Sequence, residues 1–366
     1  AGMRYPTRPL FVNPAPVSGS LRTADRGVVT VSGASATGET GDVWNGSVRE
    51  FSTTALVYRA GYHEYESAPV TRIEPWGTVN RFSERTLSVT EPSLVDGRRL
   101  SFVALDGNRS TSRVDVLPVS IRPTSAPTRT VSVAAGDDPV TVTVPTEIPA
   151  DVWAEALDTE YDPDGTASDR YVADYDCAND PPAPCGELTL ELEANTMYEF
   201  RFGEVAVGTG ASDESATYLT DVAGNGTTVY QGSRQRLVVE ARDRFDNPVS
   251  NVTVAGNVMT TDGDGAPTGT LRSVSSVTGA DGRAVFVYEA PERVEGTTNL
   301  VVTLQFGPGE AAAREVTLDL QATGPLPPPE APPNDNNGNG NNGNGTNGNG
   351  NNGNGNNGNG NNGNGG

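Results

Sequence analysis

The sequence predicts an all-β chain, and three observations carry that expectation. Apolar residues alternate with polar ones in runs such as TVSV (130–133), VTVTV (140–144), LTLELE (188–193) and YEFRF (198–202), the pattern of strands that bury one face. These runs are short, and glycine, proline, aspartate and asparagine, which turn a chain, lie between them. One stretch alone breaks the rhythm: PADVWAEAL (149–157) sets Val152, Trp153, Ala156 and Leu157 on one helical face behind Pro149. The expected architecture is a set of β-sandwiches with a single short helix.

TVSV and VTVTV flank the loop AAGDDP, and LTLELE meets YEFRF across ANTM, so each pair is expected to form a hairpin. A boundary is expected near VGTGASDESA (207–216), where glycine, serine and acids interrupt the strands. Beyond it, RLVVEA (236–241), NVTVAG (251–256), GTLRSV (269–274), RAVFVY (283–288), NLVVTLQF (299–306) and EVTLDL (315–320) follow at the spacing of one immunoglobulin-like sandwich. From Pro325 the chain is proline, asparagine and glycine with almost nothing to bury, and it is expected to be disordered. The expected organisation is an N-terminal β-rich domain (1–212), an immunoglobulin-like domain (213–322) and a Pro-rich, Asn/Gly-repeat tail (323–366).

The 366 residues carry a formal charge of −22, and all 25 basic residues are arginine. Such a surface repels nucleic acid and anionic lipid, which removes both as expected partners. Self-repulsion of this size is relieved by molar salt, which screens charges beyond about 3 Å, so the composition points to work in strong brine. A GC-rich genome that prefers arginine codons is the other reading. No run of 18 apolar residues occurs, so no membrane-spanning helix is expected. The chain opens AGMRYPTRPLF with neither an initiating methionine nor a signal peptide, and it is read as a mature or truncated chain.

Cys177 and Cys185 are the two cysteines and His63 the one histidine, too few for a four-ligand zinc site. A local disulfide across CANDPPAPC suits an oxidising, extracellular setting, and two unpaired buried thiols are the alternative. EYDPDGTASDRY (160–171) places Glu160, Asp162, Asp164 and Gly165 like the opening of a calcium loop, but position twelve is Tyr171 where a bidentate glutamate belongs. DGDG (262–265) is less complete still, and both read better as acidic turns, so no metal and no cofactor is expected. Without a nucleophile elbow, a phosphate loop or a dinucleotide fingerprint, no catalytic residue is assigned. Tyr58, Tyr62, Tyr65, Trp76 and Phe82 form an aromatic group that either fills a core or stacks on sugars. Sequons stand at Asn45, Asn108, Asn225, Asn251 and Asn344, with Asn108 and Asn225 the preferred glycosylation candidates.

Residues 217–320 carry a further pattern. LVVEARDRFDNPVSNVTV, then GTL, then VTGADGRAVFVY is similar in order and spacing to the bacterial immunoglobulin-like domains of the invasin and intimin family. The family's polar turn before proline falls on Asp246, Asn247, Pro248 and Val249, and its threonine-to-glycine stretch on Thr278, Asp281 and Gly282. Read from the residues, Asp246 and Asn247 shape the turn, while Arg242 and Arg244 lie on a solvated strand face. RYPTRPLFVNPAPVSGSLRT, LVYRAGYHEYESAPVTRIEPWGTVNRF, LVDGRRLSFVALDG and VTVTVPTEIPADVWAEAL together resemble the extracellular part of pilin-like and archaellin-like surface proteins of extremely halophilic archaea. In those proteins a hydrophobic N-terminal helix is the anchor, so the resemblance implies an ectodomain whose anchor lies outside this sequence, or a secreted protein.

The function expected is that of a non-enzymatic cell-surface structural or adhesion protein adapted to high salt. Its expected partners are other surface proteins, further copies in a filament or layer, or glycans. A carbohydrate-binding module using the aromatics from Tyr58 to Phe82 is the alternative, and a secreted hydrolase with paired acids is a second.

Overall fold

The structure, a computed structural model, describes residues 8–10, 18–62, 67–114, 117–179, 181, 183–261, 268–307 and 314–325. Strands dominate it, and Ala150–Leu157 is the single α-helix among the described residues. That helix begins where Pro149 fixes φ at −63° and buries Trp153 and Leu157, so the break in period-two alternation marks a real change of backbone. The Asn/Gly repeat lies outside the described residues.

Two sheets of the N-terminal half face each other. In one, Arg99–Asp106, Met197–Val207 and Val131–Ala135 lie side by side, and Ile121–Ser125 also pairs with Met197–Val207. In the other, the order is Val172–Cys177, Pro184–Leu192, Thr141–Pro149, Gly27–Ser32, Arg49–Thr53. Val142, Val144, Leu188 and Leu190 from the second sheet meet Phe102, Val133, Phe200 and Phe202 from the first in one core. Period two therefore reports the buried face of each strand correctly.

It does not report the partner. Val131–Ala135 and Thr141–Pro149 belong to different sheets, as do Pro184–Leu192 and Met197–Val207, so neither expected hairpin forms. Both loops cross from sheet to sheet instead, and they run together: Ala135 N donates to Thr196 O at 2.9 Å, Asn195 N to Gly136 O at 3.1 Å and Leu192 N to Val140 O at 2.9 Å. Alternation specifies which side of a strand is apolar, and a crossover satisfies it as well as a hairpin does.

A third sheet, ordered Ser110–Arg113, Ser18–Thr23, Leu56–Gly61, Val70–Glu74, Gly77–Arg81, Thr86–Ser88, adds a smaller cluster around Leu21, Leu56, Tyr58 and Val207. Glu74 ties it to the second sheet. Its Oε1 accepts from Arg72 Nε (2.7 Å) and Glu147 N (2.8 Å), and its Oε2 from Trp76 Nε1 (2.8 Å) and Thr146 Oγ1 (2.7 Å).

The C-terminal half is an immunoglobulin-like sandwich of two four-stranded sheets. One runs Tyr218–Ala223, Arg234–Arg242, Arg283–Glu289, Thr270–Ser275; the other Thr227–Tyr230, Glu315–Thr323, Thr297–Phe306, Val254–Thr260. Their inward residues, among them Leu237, Val239, Phe286, Val302, Leu304 and Leu318, make a second core. All six expected strands are present, and Tyr218–Ala223 and Thr227–Tyr230 are added to them. Asn251 has φ 63°, so the run NVTVAG begins in a turn, and its strand starts at Val254.

Candidate functional site

The most chemically elaborate place in the molecule is where the loop Asp243–Asn247 leaves the C-terminal sandwich. Here a charge-rich stretch enters the N-terminal core. Phe245, 1% exposed, packs its ring 5.1 Å from Phe51 and belongs to the same cluster as Trp44, Phe102 and Phe202. A large apolar side chain in an otherwise polar turn was the one sequence signal for this insertion.

Asn247, also 1% exposed, uses its whole amide. Its Oδ1 accepts from the backbone N of Thr128 (2.9 Å) and Arg129 (3.2 Å), and its Nδ2 donates to Ser125 Oγ (2.9 Å) and Phe202 O (2.8 Å). Asp246 adopts φ 68°, a left-handed conformation that Asp and Asn tolerate better than most residues. Its carboxylate accepts from Trp44 Nε1 and Tyr218 OH, both at 2.8 Å. Burial pushes this carboxyl up to about 6, against the pull of the hydrogen bonds and of Arg49 and Arg242. Burial likewise raises Asp243, whose Oδ1 accepts from Phe245 N (2.8 Å) and Asn247 N (3.0 Å) and so braces the loop.

Arginines complete the junction. Arg129 donates twice to Glu240, Nε to Oε1 at 2.9 Å and Nη2 to Oε2 at 2.7 Å, and Arg242 and Arg283 reach the same carboxylate at 3.0 and 3.4 Å. Burial works to raise Glu240, but these arginines outweigh it and its pKa falls. Arg244 bridges Glu204 and Glu214, each at 3.0 Å, and burial raises both carboxyls. Arg49 sits 4.2 Å over the Trp44 ring and donates to Val43 O (2.9 Å) and Arg244 O (2.6 Å).

This corrects the reading of Arg242 and Arg244 as solvent-facing: their side chains are 18% and 34% exposed and ion-paired. Charge in this stretch marks contact with a second surface, supplied by Trp44, Arg49, Ser125, Arg129 and Glu204, none of which stood out in the sequence. Glu240, Asp243 and Asp246 do not converge on one point, for each has its own protein donors. Every carboxylate here accepts from a fixed donor, an arrangement that orients the loop against the surface receiving it.

The remaining expected sites lie elsewhere. Cys177 and Cys185 are bonded, with Cα atoms 5.0 Å apart. Asp162 is buried and accepts from Ala167 N at 2.6 Å, whereas Asp164 and Gly165 are exposed and Glu160 turns to Gly97 N at 3.1 Å. Among the described residues no group of three or more potential ligands could hold a metal ion; DGDG and His63 lie outside the described residues. The aromatic group is dispersed: Trp76 fills the main core and Tyr58 the small one, Tyr62 and Phe82 are half-buried, and Tyr65 lies outside the described residues. A cleft of about 150 Å³ beside Arg72 and Trp76 is lined by two acids, Asp25 and Glu74, and the four donors named above already engage Glu74. Asn45, Asn108, Asn225 and Asn251 are exposed, and Asn344 lies outside the described residues. Asn225 is committed on both sides, donating to Asp221 Oδ2 (3.2 Å) and accepting from Asp319 N (2.9 Å).

No protein-family model and no curated protein matches the sequence. Among solved structures, the chain is similar to domains 4 and 5 of the S-layer protein SbsC at 16% identity and TM-score 0.23, over 43% of this chain and 79% of that one. It is similar to the Lin-41 filamin domain at 16% identity and TM-score 0.21, over 29% and 95%. A point mutant of the SrpA adhesin from Streptococcus sanguinis gives 13% identity and TM-score 0.20, over 30% and 60%. Scores this low identify neither family nor activity.

Proposed function

We propose that the protein is a non-enzymatic, extracellular cell-surface structural or adhesion protein in which stacked β-sandwiches act as a rigid spacer. The observation that carries this reading is the junction just described: Phe245 and Asn247 seat one sandwich in the core of the other, so the pair projects as one body. The acidic, lysine-free composition and the Cys177–Cys185 bond support an oxidising, saline exterior. In this reading residues 1–212 and 213–322 are the two domains, residues 323–366 are a separate tail, and the partners are further copies or other surface proteins in a filament or layer. The pilin-like anchoring of such an ectodomain belongs to the same proposal.

Antibody labelling of intact cells of the source organism tests the location; a signal seen only after lysis overturns it. Circular dichroism tests the brine adaptation, with structure expected in molar salt and lost in dilute buffer; a spectrum unchanged between the two removes it. Asn108 is preferred to Asn225 as an acceptor, because the Nδ2 that would carry a glycan on Asn225 already donates to Asp221 Oδ2. Intact mass of the native protein reads this directly, and an unmodified mass rules glycosylation out.

A further inference from the structure

Two sheet faces that the cores do not use carry opposite charge. In the sheet of the C-terminal sandwich that runs from Tyr218–Ala223 to Thr270–Ser275, Leu237, Val239, Phe286 and Tyr288 point into the core. Alternation therefore turns Arg234, Arg236, Arg272 and Arg283 to the outer face. Arg236, Val287 and Arg272 form one row across three strands, and Arg234, Glu289 and Thr270 form the next. Arg234 and Arg272 are 69% and 71% exposed and share the one carboxylate of Glu289, at 3.1 and 3.5 Å. Arg236 is exposed and is ion-paired with no acid among the described residues. Val285 and Val287, half-buried, give the face an apolar floor. The other acid of the face, Glu240, is already held by Arg129, Arg242 and Arg283.

The sheet of the N-terminal half that runs from Val172–Cys177 to Arg49–Thr53 has the reverse character. Val142, Val144, Leu188 and Leu190 point inward, which turns Asp174, Asp176, Glu187, Glu191 and Glu50 outward. Asp174, Glu191, Thr141 and Ser32 make one row; Asp176, Thr189, Thr143, Thr30 and Glu50 make the next. All five acids are exposed, and none is ion-paired among the described residues. The four strands from Val172–Cys177 to Gly27–Ser32 contain no arginine that could neutralise them.

From this we infer that the two faces are the halves of one contact: the arginine face of one copy docks on the acidic face of the next, and the chain assembles head to tail. Guanidinium groups short of acids meet carboxylates short of arginines, and each fork can take a carboxylate in two hydrogen bonds. A contact between two different patches leaves one of each free, so assembly continues into a filament or closes into a ring. In molar salt the repulsion between chains of charge −22 is screened beyond about 3 Å, while pairs buried in a contact are screened much less. The inference deepens the filament or layer reading above and rests on it only for the supply of further copies in the cell.

The experiment is sedimentation velocity of the full chain in molar salt, up to millimolar concentration. The parent is expected to form dimers and then longer species as concentration rises. Arg236→Ala with Arg272→Ala disables one face, and Asp174→Ala with Glu191→Ala disables the other; all four side chains are exposed, so both cores are kept. Each double variant alone should associate about a hundredfold more weakly than the parent, as expected when one side of several charge pairs is truncated. An equimolar mixture of the two variants, each with a circular dichroism spectrum matching the parent's, retains one live contact per pair and should form dimers and stop there. A parent that stays monomeric, a variant that assembles like the parent, or a mixture that stays monomeric overturns the contact. Surface labelling of cells is unaffected by any of these results, so the surface reading stands or falls on its own.

Discussion

Replacing Asn247 by alanine isolates the polar half of the seat. The side chain is 1% exposed and makes four hydrogen bonds across the junction, to the backbone N of Thr128 and Arg129, to Ser125 Oγ and to Phe202 O. Truncation strands these partners, and each buried group left unsatisfied costs about 1–3 kcal/mol. Thr128 is exposed enough for water to replace its lost acceptor, and Phe202 O is not. A total loss of about 3–4 kcal/mol follows. Spread over a unit of roughly 300 residues, with an unfolding entropy of about 2.1 cal/mol/K per residue, this lowers the Tm by about 5–6 °C. Calorimetry in molar salt at neutral pH reads it, and the heat absorption is also expected to broaden toward two transitions as the sandwiches melt independently. A shift below about 1 °C with a single unchanged peak refutes the idea that this amide couples them.

Three further outcomes are expected. Burial lifts the Asp246 carboxyl from 3.8 to about 6, so the folded chain holds that proton more tightly than the unfolded one; its contribution to stability is complete below about pH 4 and is lost as pH rises through about 6. Asp246→Asn keeps an acceptor for Trp44 and removes the titrating group, so its Tm should gain on the parent between about pH 4 and 6 and hold that gain above; parallel profiles contradict this. Opening the Cys177–Cys185 bond with reductant, or by Cys177→Ser with Cys185→Ser, should cost about 2–3 kcal/mol in denaturant titration, and an unshifted midpoint counts against any stabilising role. Gly282 has φ 74°, and an added Cβ would lie 2.7 Å from Pro248 Cβ and 2.9 Å from Ala241 O, so Gly282→Ala should destabilise by at least about 1–2 kcal/mol in the same titration, whereas a neutral result would show that the turn yields.

What the sequence made legible follows the range of the forces involved. Alternation is local, so VTVTV and LTLELE identify buried faces without the partner strand; the helix at Ala150–Leu157 and the turn around Gly282 are local as well. The pairing of Arg99–Asp106 with Met197–Val207, in parallel and about a hundred residues apart, has no local signature, and neither do the crossovers that replaced both hairpins. Tyr58 and Trp76 lie eighteen positions apart in sequence yet fill separate cores, because a meander returns them to different faces.

The charges around residues 240–247 were misread for a related reason. In isolation, RDRFDNP satisfies itself: acids accept from turn amides, and arginines lie near acids on an exposed strand. The same groups serve equally well against a second surface. Buried ion pairs add little net stability, because desolvation offsets attraction, but a pair with one partner removed is strongly penalised. Glu240 facing Arg129, and Glu204 facing Arg244, therefore favour one docked orientation over slipped ones that would strand a charge, while Phe245 supplies the apolar anchor. An apolar patch alone would tolerate sliding. A loop written in charges around one phenylalanine docks in one register, which is what a rigid spacer requires.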